Sequence, residues 1–281
     1  MPEGDTIYRS ATSLRRWLAG RPLTEVRTTV PGLDADHLVG RRVEAVESRG
    51  KHLFIRCSGG LAIHSHMRMT GSWHCYPAGE PWRRSPARAR LVLVSDDRLA
   101  VCFDAPVIEV LDALHERLHP VLRRLGPDLL APADPEPAVV LRRARVRAED
   151  APTIGELLLD QQVVAGIGNI YRCEALFACG IYPATPCAQV ADDRLIEVIA
   201  TATRLLRANA VSGAPGARSF APRGAGPRDP WVYRRSGRPC RRCGTVIRRS
   251  VLGRQARSVY WCPRCQAPGQ GRPPGGESDA R

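Results

Sequence analysis

Two Cys-x2-Cys pairs, Cys240-Arg-Arg-Cys243 and Cys262-Pro-Arg-Cys265, stand eighteen residues apart near the end of this 281-residue chain. No other feature limits the fold as tightly. Four thiolates in two knuckles make one tetrahedral zinc site with no ligand position left open, the pattern of a structural metal. The segment 231–266 is therefore expected to be a four-cysteine zinc finger built as a stapled β-hairpin, with one structural Zn2+ as the cofactor. Between Trp231 and Cys265 lie ten arginines and no acidic residue. A solvated surface ordinarily mixes signs, so unopposed charge of this density suits phosphates. A protein-binding zinc ribbon is the alternative on spacing alone.

The rest of the composition agrees with a polyanion partner. The formal net charge is +14, and among 42 basic side chains only one, Lys51, is a lysine. A position that keeps an ammonium where arginine serves everywhere else calls for a compact, flexible point charge. Six further cysteines (Cys57, Cys75, Cys102, Cys173, Cys179 and Cys187) are scattered among apolar residues and read as reduced core side chains. With no membrane-length apolar run and no secretory leader, a cytoplasmic location and no membrane partner are expected.

Hydrophobic periodicity divides the chain. "TIYRSATSLRRWLAG" carries a helical stripe of Ile7, Ala11, Leu14 and Leu18, closed by Gly20. The alternating runs "RVEAVESR", "HLFIRC", "LAIHSHM", "ARLVLVS" and "RLAVCFD" follow, separated by turn residues. Residues 1–125 are thus expected to be an antiparallel β-sandwich with one or two flanking helices. "LGPDLLAPADPEP" marks a boundary, and 136–212 reads as helical, with "TIGELLLDQQVVAG" and "DRLIEVIATATRLLRANAV" both in 3.6-residue register. The Gly/Pro-rich stretch 212–230 is expected to be a mobile loop closing a helical unit over 126–230, and 267–281 a disordered tail. The fold class is α+β.

Three further places carry chemistry. In Gly166-Ile167-Gly168-Asn169 the glycines let a ligand approach the backbone, a new helix is expected to start near Ile170, and its amides favour an anion. Asn169 adds a side-chain donor there. At the N-terminus, removal of methionine would expose Pro2 as a secondary amine; an α-amino group titrates near ~8, so a sizeable fraction is a neutral nucleophile at physiological pH. Glu3 beside it is a candidate general acid. His64, His66 and His74 alternate along strand-like sequence and read as hydrogen-bonded, polar-face histidines, not as a second metal site.

Six motifs in order resemble the formamidopyrimidine-DNA glycosylase/endonuclease VIII family of base-excision repair: "MPEG", "SRGKHL", "HSHMRMTG", "LGPDLL", "LLLDQQVVAGIGNIYRCEAL" and "VYRRSGRPCRRCGTVI" with "RQARSVYWCPRCQ". The likeness runs from Met1 to about Gln266. It implies a helix-two-turns-helix motif in the helical unit, damaged DNA as partner, a monomer, and the bacterial cytoplasm and nucleoid as location. It implies Pro2 as the nucleophile on C1′ and Glu3 as the acid that protonates the sugar ring oxygen. Lys51 would reach phosphate and the catalytic pocket, and Asn169 would bind phosphates flanking the lesion. Arg257 would grip the target phosphate and counts with the catalytic set. Arg68, Met69 and Thr70 would form the wedge that fills the space of an extruded base, with Met69 the best apolar plug. The implied activity is a bifunctional glycosylase and abasic-site lyase working by β,δ-elimination; the alternatives are a non-catalytic or weakly active damaged-DNA-binding relative, or an oxidised-purine enzyme of the same family. Two departures stand out. Asp5-Thr6 occupies the place of the family's usual Pro-Glu, removing a second glutamate. "FDAPVIEVL" lacks the Arg and Phe wedges of the purine-type branch, which points to oxidised pyrimidines as substrates.

Overall fold

In the computed structural model of this chain, residues 2–211, 218–220, 229–253 and 256–268 are described. The expected mobile loop over 212–230 and tail over 267–281 lie mostly outside them. The chain divides into two compact units, one ending at Leu125 and one beginning at Gly126. Among the described residues no helix is long and apolar enough to cross a membrane.

The first unit opens with α1 (Gly4–Leu18), whose buried stripe is Ile7, Ala11, Leu14 and Leu18, as the periodicity requires. Eight strands follow: β1 (Glu25–Thr28), β2 (Val43–Arg49), β3 (His52–Cys57), β4 (Leu61–His66), β5 (Ser72–Pro77), β6 (Ala89–Ser95), β7 (Arg98–Phe103) and β8 (Val107–Leu111). They form two antiparallel sheets, in the orders β1-β6-β7-β5 and β2-β3-β4-β8. Leu53, Ile55 and Ile63 of one sheet share an apolar cluster with Leu91, Leu93 and Cys102 of the other and with the α1 stripe. Period-two alternation sends the opposite residues of β3, β4 and β8 (His52, Phe54, His64, His66, Glu109) to the other face. The helix α2 (Ala113–Leu118) is N-capped by Asp112, whose carboxylate accepts from the His115 amide at 2.7 Å. Strands β1, β5 and β8 were not expected from alternation; β8 occupies the stretch in which a purine-branch wedge would sit.

The second unit comprises α3 (Pro137–Arg147), α4 (Ile154–Leu157), α5 (Asn169–Ala178), α6 (Asp192–Val211) and the antiparallel hairpin β9 (Arg248–Leu252) and β10 (Arg257–Trp261). The expected helix over "TIGELLLDQQVVAG" is corrected: only Ile154–Leu157 is α-helical. Polar side chains replace the helical ladder beyond it. Asp160 Oδ1 accepts from the Gln162 amide at 2.9 Å, and Gln161 Oε1 accepts from the Gly166 amide at 3.0 Å. The Gln161 amide nitrogen donates to the carbonyls of Leu159 and Ile167 at 2.8 and 3.0 Å. Such local bonds compete with helix, and they turn an apolar run into two turns between α4 and α5. "LGPDLL" runs alongside: the Gly126 amide donates to Gln161 O at 2.8 Å, and a Cβ at Gly126 would meet Val163 O at 2.4 Å. Only glycine fits there.

Candidate nucleic-acid interface and metal centre

Gly166 adopts φ +116°, a left-handed conformation, and Gly168 precedes α5 in extended conformation. Asn169 is thereby the first helical residue. Gly166→Ala is expected to lower stability by about 1–2 kcal/mol, the cost of a Cβ in that region, read as a lower midpoint in thermal unfolding.

Asn169 is 8% exposed and its Nδ2 donates to Ser258 O at 2.8 Å. Arg172, one turn on and fully buried, donates from Nη2 to the same carbonyl at 2.9 Å, from Nη1 to Gly155 O at 3.1 Å, and from Nη2 to Asn169 Oδ1. One buried guanidinium thus ties α4, α5 and β10 together. Ser258 follows Arg257, so this bracket brings Asn169 and the start of β10 to one locality. A cavity of about 520 Å³ there is lined by Arg147, Glu156, Gln161, Arg172, Gly253 and Arg257. Arg172 was missed from sequence; its i+3 spacing from Asn169 was the available signal.

The four predicted ligands converge. Cys240 Sγ lies 3.9 Å from Cys265 Sγ, and Cys243 Sγ lies 3.4 Å from Cys262 Sγ. All four sulfurs fall within 4.8 Å of one another. A tetrahedron with metal–sulfur bonds of about 2.3 Å has edges of about 3.8 Å, so the set fits a metal ion; disulfide bonds would need sulfurs about 2.05 Å apart. The Arg242 and Cys265 amides each donate to a ligand sulfur, of Cys240 and Cys262 respectively, at 3.4 Å. Charge at the hairpin is less uniform than the sequence suggests. Glu174 of α5 is buried and accepts from the amides of Trp231, Val232 and Tyr233 at 2.8, 3.1 and 2.9 Å. Burial pushes its carboxyl pKa up, against three donors that favour the ionised form. This acid anchors the chain entering the hairpin.

In the first unit Pro2 is half-buried and Glu3 is 0% exposed. Glu3 occupies the N-cap of α1, its carbonyl accepting from the Thr6 and Ile7 amides at 2.9 and 3.1 Å, yet its side chain makes no cap bond. Asp5, at a departure from the family pattern, is also fully buried and pairs with Arg9 at 3.2 Å. A second carboxylate is therefore present in this turn, though not at the position of the missing glutamate. Lys51 sits in the two-residue turn of the β2–β3 hairpin after Gly50 at φ +60°, with Arg49 and His52 opposite each other. The loop after β4 carries Arg68 at φ +44° and Thr70, both exposed, with Met69 55% exposed. Met67, not Met69, packs in the core. The Gly71 amide closes the loop on Met67 O at 2.8 Å, and Thr70 Oγ1 donates to Asp104 O at 3.2 Å.

The histidines are hydrogen-bonded. His74 meets Tyr76 Oη at 2.8 Å, His64 meets His52 and Glu109 at 2.9 Å each, and His66 accepts from the Arg68 amide at 3.2 Å. Burial is the main cause that lowers the His52 pKa to about 2 and the His66 pKa to about 4, with neighbouring histidines, Lys51 and Arg68 adding to it. Both rings stay neutral where a free imidazole titrates.

The family models that match this chain are those of a DNA glycosylase. Residues 1–106 match the formamidopyrimidine-DNA glycosylase N-terminal domain and residues 125–220 its H2TH domain. A probable endonuclease 8 2 of Streptomyces coelicolor is 42% identical over 285 residues, spanning 100% of this chain and 99% of that protein. A DNA-(apurinic or apyrimidinic site) lyase Nei2 of Mycolicibacterium smegmatis is 39% identical, over 95% of this chain and 99% of its own length. Endonuclease 8 of Escherichia coli is 34% identical, over 95% and 100%. Lactococcus lactis Fpg in complex with abasic-site DNA shares the fold at a TM-score of 0.79 and 20% identity, covering 95% of this chain and 100% of that one. The chain belongs to the formamidopyrimidine-DNA glycosylase/endonuclease 8 family of base-excision repair.

Proposed function

We propose that this chain is a bifunctional glycosylase and abasic-site lyase acting on oxidised pyrimidines in DNA, as a monomer in the bacterial cytoplasm. The observation that carries the reading is Glu3: a fully buried carboxylate, adjacent to Pro2, at the N-cap position of α1. A capping side chain would accept from the first amides of the helix; Glu3 stands at the cap position and does not cap α1. With Met1 removed, the Pro2 nitrogen attacks C1′ of the damaged nucleotide while Glu3 delivers a proton to the ring oxygen. The C1′–O4′ bond breaks and opens the sugar ring, the Pro2 nitrogen gives up its proton to the departing base, and its lone pair forms the iminium as the C1′–N bond to the base breaks. The resulting iminium makes the C2′ proton acidic; its loss expels the 3′ phosphate, and a second elimination expels the 5′ phosphate. Lys51, Asn169 and Arg257 hold phosphates, and Arg68, Met69 and Thr70 enter the space vacated by the extruded nucleotide. An apolar side chain exposed at a loop tip, as Met69 is, suits that use.

Zinc is the metal proposed for Cys240, Cys243, Cys262 and Cys265. Bound there, it would hold the hairpin that bears Arg257. For the substrate branch, the supporting observation is β8: Val107–Leu111 is paired along β4 from Ala62–Leu111 to His66–Val107, leaving no inserted loop there to carry further wedges. Thymine glycol, dihydrouracil and 8-oxoguanine in otherwise identical duplexes test this. The two pyrimidines are expected to be excised faster, and a preference for 8-oxoguanine would overturn the assignment.

A further inference from the structure

We propose that Arg172 is a positioning residue for Asn169: its guanidinium fixes the Asn169 carboxamide in the one orientation that presents an N–H, and never an oxygen, to a DNA phosphate. The inference rests on the reading of Asn169 as a phosphate ligand given above. A primary carboxamide has an accepting end and a donating end, and half a turn about its last bond exchanges them. At Asn169 two contacts of opposite kind decide which way it points. Arg172 Nη2 reaches one terminal atom, and a guanidinium can only donate, so that atom is the oxygen Oδ1. The other terminal atom lies 2.8 Å from the Ser258 carbonyl, which can only accept, so that atom is the nitrogen Nδ2. Turned over, the amide would set N–H against N–H at Arg172 and oxygen against oxygen at Ser258. Both contacts penalise the same alternative.

Nδ2 carries two hydrogens, and Ser258 takes one of them. The second has no acceptor among the described residues. It stands on the first residue of α5, at the end of a helix that favours an anion. The group that orients it is itself fixed. Arg172 is fully buried, donates from Nη1 to Gly155 O at 3.1 Å, and shares Ser258 O with Asn169, at 2.9 Å from its Nη2. Ser258 is held in turn through its side chain, whose Oγ accepts from Arg249 Nη2 and Nε at 2.8 and 3.0 Å. A side chain bonded in this way has lost its rotamer freedom before DNA arrives, so the amide is oriented at no further cost on binding.

Binding to a duplex that holds a tetrahydrofuran analogue of an abasic site reads the effect without any chemical step. Arg172→Met keeps an unbranched apolar stem and removes every donor. It is expected to weaken binding about tenfold, the worth of one hydrogen bond to a charged group. In an Asn169→Ala background the same change should cost less than about twofold, because the group it orients is gone. Arg172→Lys restores a donor and should recover most of the loss, although methionine packs better at a buried position. Should Arg172→Met not fold, Arg172→Gln, whose amide is too short to span the same gap, takes its place in the cycle. Equal loss in both backgrounds, or methionine and lysine weakening binding alike, overturns the proposal and leaves Asn169 its phosphate. Wild-type affinity in Asn169→Ala alone overturns the phosphate reading of Asn169, and the proposal falls with it.

Discussion

Sodium borohydride is expected to trap the wild-type chain covalently on DNA carrying an abasic site, and Pro2→Gly to lower both trapping and strand cleavage on the order of 100-fold. That factor corresponds to about 2.7 kcal/mol of barrier. A secondary amine condenses with the C1′ aldehyde to an iminium that is cationic without further protonation, whereas glycine gives a neutral imine that must first take up a proton. The proline ring also locks rotation about its N–Cα bond ahead of a helix that begins at Gly4, so glycine adds freedom at the reacting nitrogen. Glu3→Gln separates the two halves of the chemistry. Base removal should fall by ~10²–10⁴-fold, the usual worth of a positioned proton donor. Trapping on a preformed abasic site should persist, because no base has to leave. Mass spectrometry must first verify that Met1 is absent. A verified Pro2 terminus that gives no trapped complex would end the lyase assignment and favour a binding-only relative.

How far the sequence could be read depended on the range of each interaction. The four-cysteine site was legible because ligand spacing is itself local, and β2, β3, β4, β6 and β7 because short apolar-rich runs bounded by turn residues mark strands. The stretch after α4 misled because its apolar residues keep helical spacing while Asp160 and Gln161 redirect the backbone. Periodicity registers what is buried, not which side chains bond to main chain. Arg172 and Glu174 were out of reach for another reason. Asn169 meets Ser258 across 89 positions, and Glu174 meets Tyr233 across 59. Nothing along the chain says that a helix of the motif holds the hairpin. The histidines were half legible: their hydrogen-bonded character followed from alternation, but the bond of His64 to Glu109 required knowing that β8 pairs with β4.

Loss of the proposed zinc should produce the second large effect. A two-stranded hairpin such as β9–β10 is marginal by itself, and structural zinc supplies about 10–16 kcal/mol of apparent folding free energy in small zinc-finger peptides. Some support here is independent of metal: Glu174 holds three amides, and Gln266 bridges the Cys262 amide at 3.0 Å to Ile181 O at 2.8 Å. Val232, Ile247 and Val259 also pack against Cys173 and Phe177 of α5. These interactions secure the entry and exit of the hairpin, whereas its outer strand positions are exposed or half-exposed. Cys262→Ala is therefore expected to abolish stoichiometric zinc, raise amide exchange across 231–266, and leave the first unit's protection unchanged. Asn169 and Arg172 lose their shared acceptor when Ser258 is released, so damage spreads to the turn before α5. DNA affinity should fall on the order of 100-fold at moderate salt. The slope of log K against log salt should flatten by about 0.9 for each phosphate the hairpin no longer neutralises. A point defect in packing would weaken binding and keep the slope; release of an arginine-bearing element lowers both. Wild-type affinity in a zinc-free Cys262→Ala protein would mean that the ten arginines of this segment do not meet DNA.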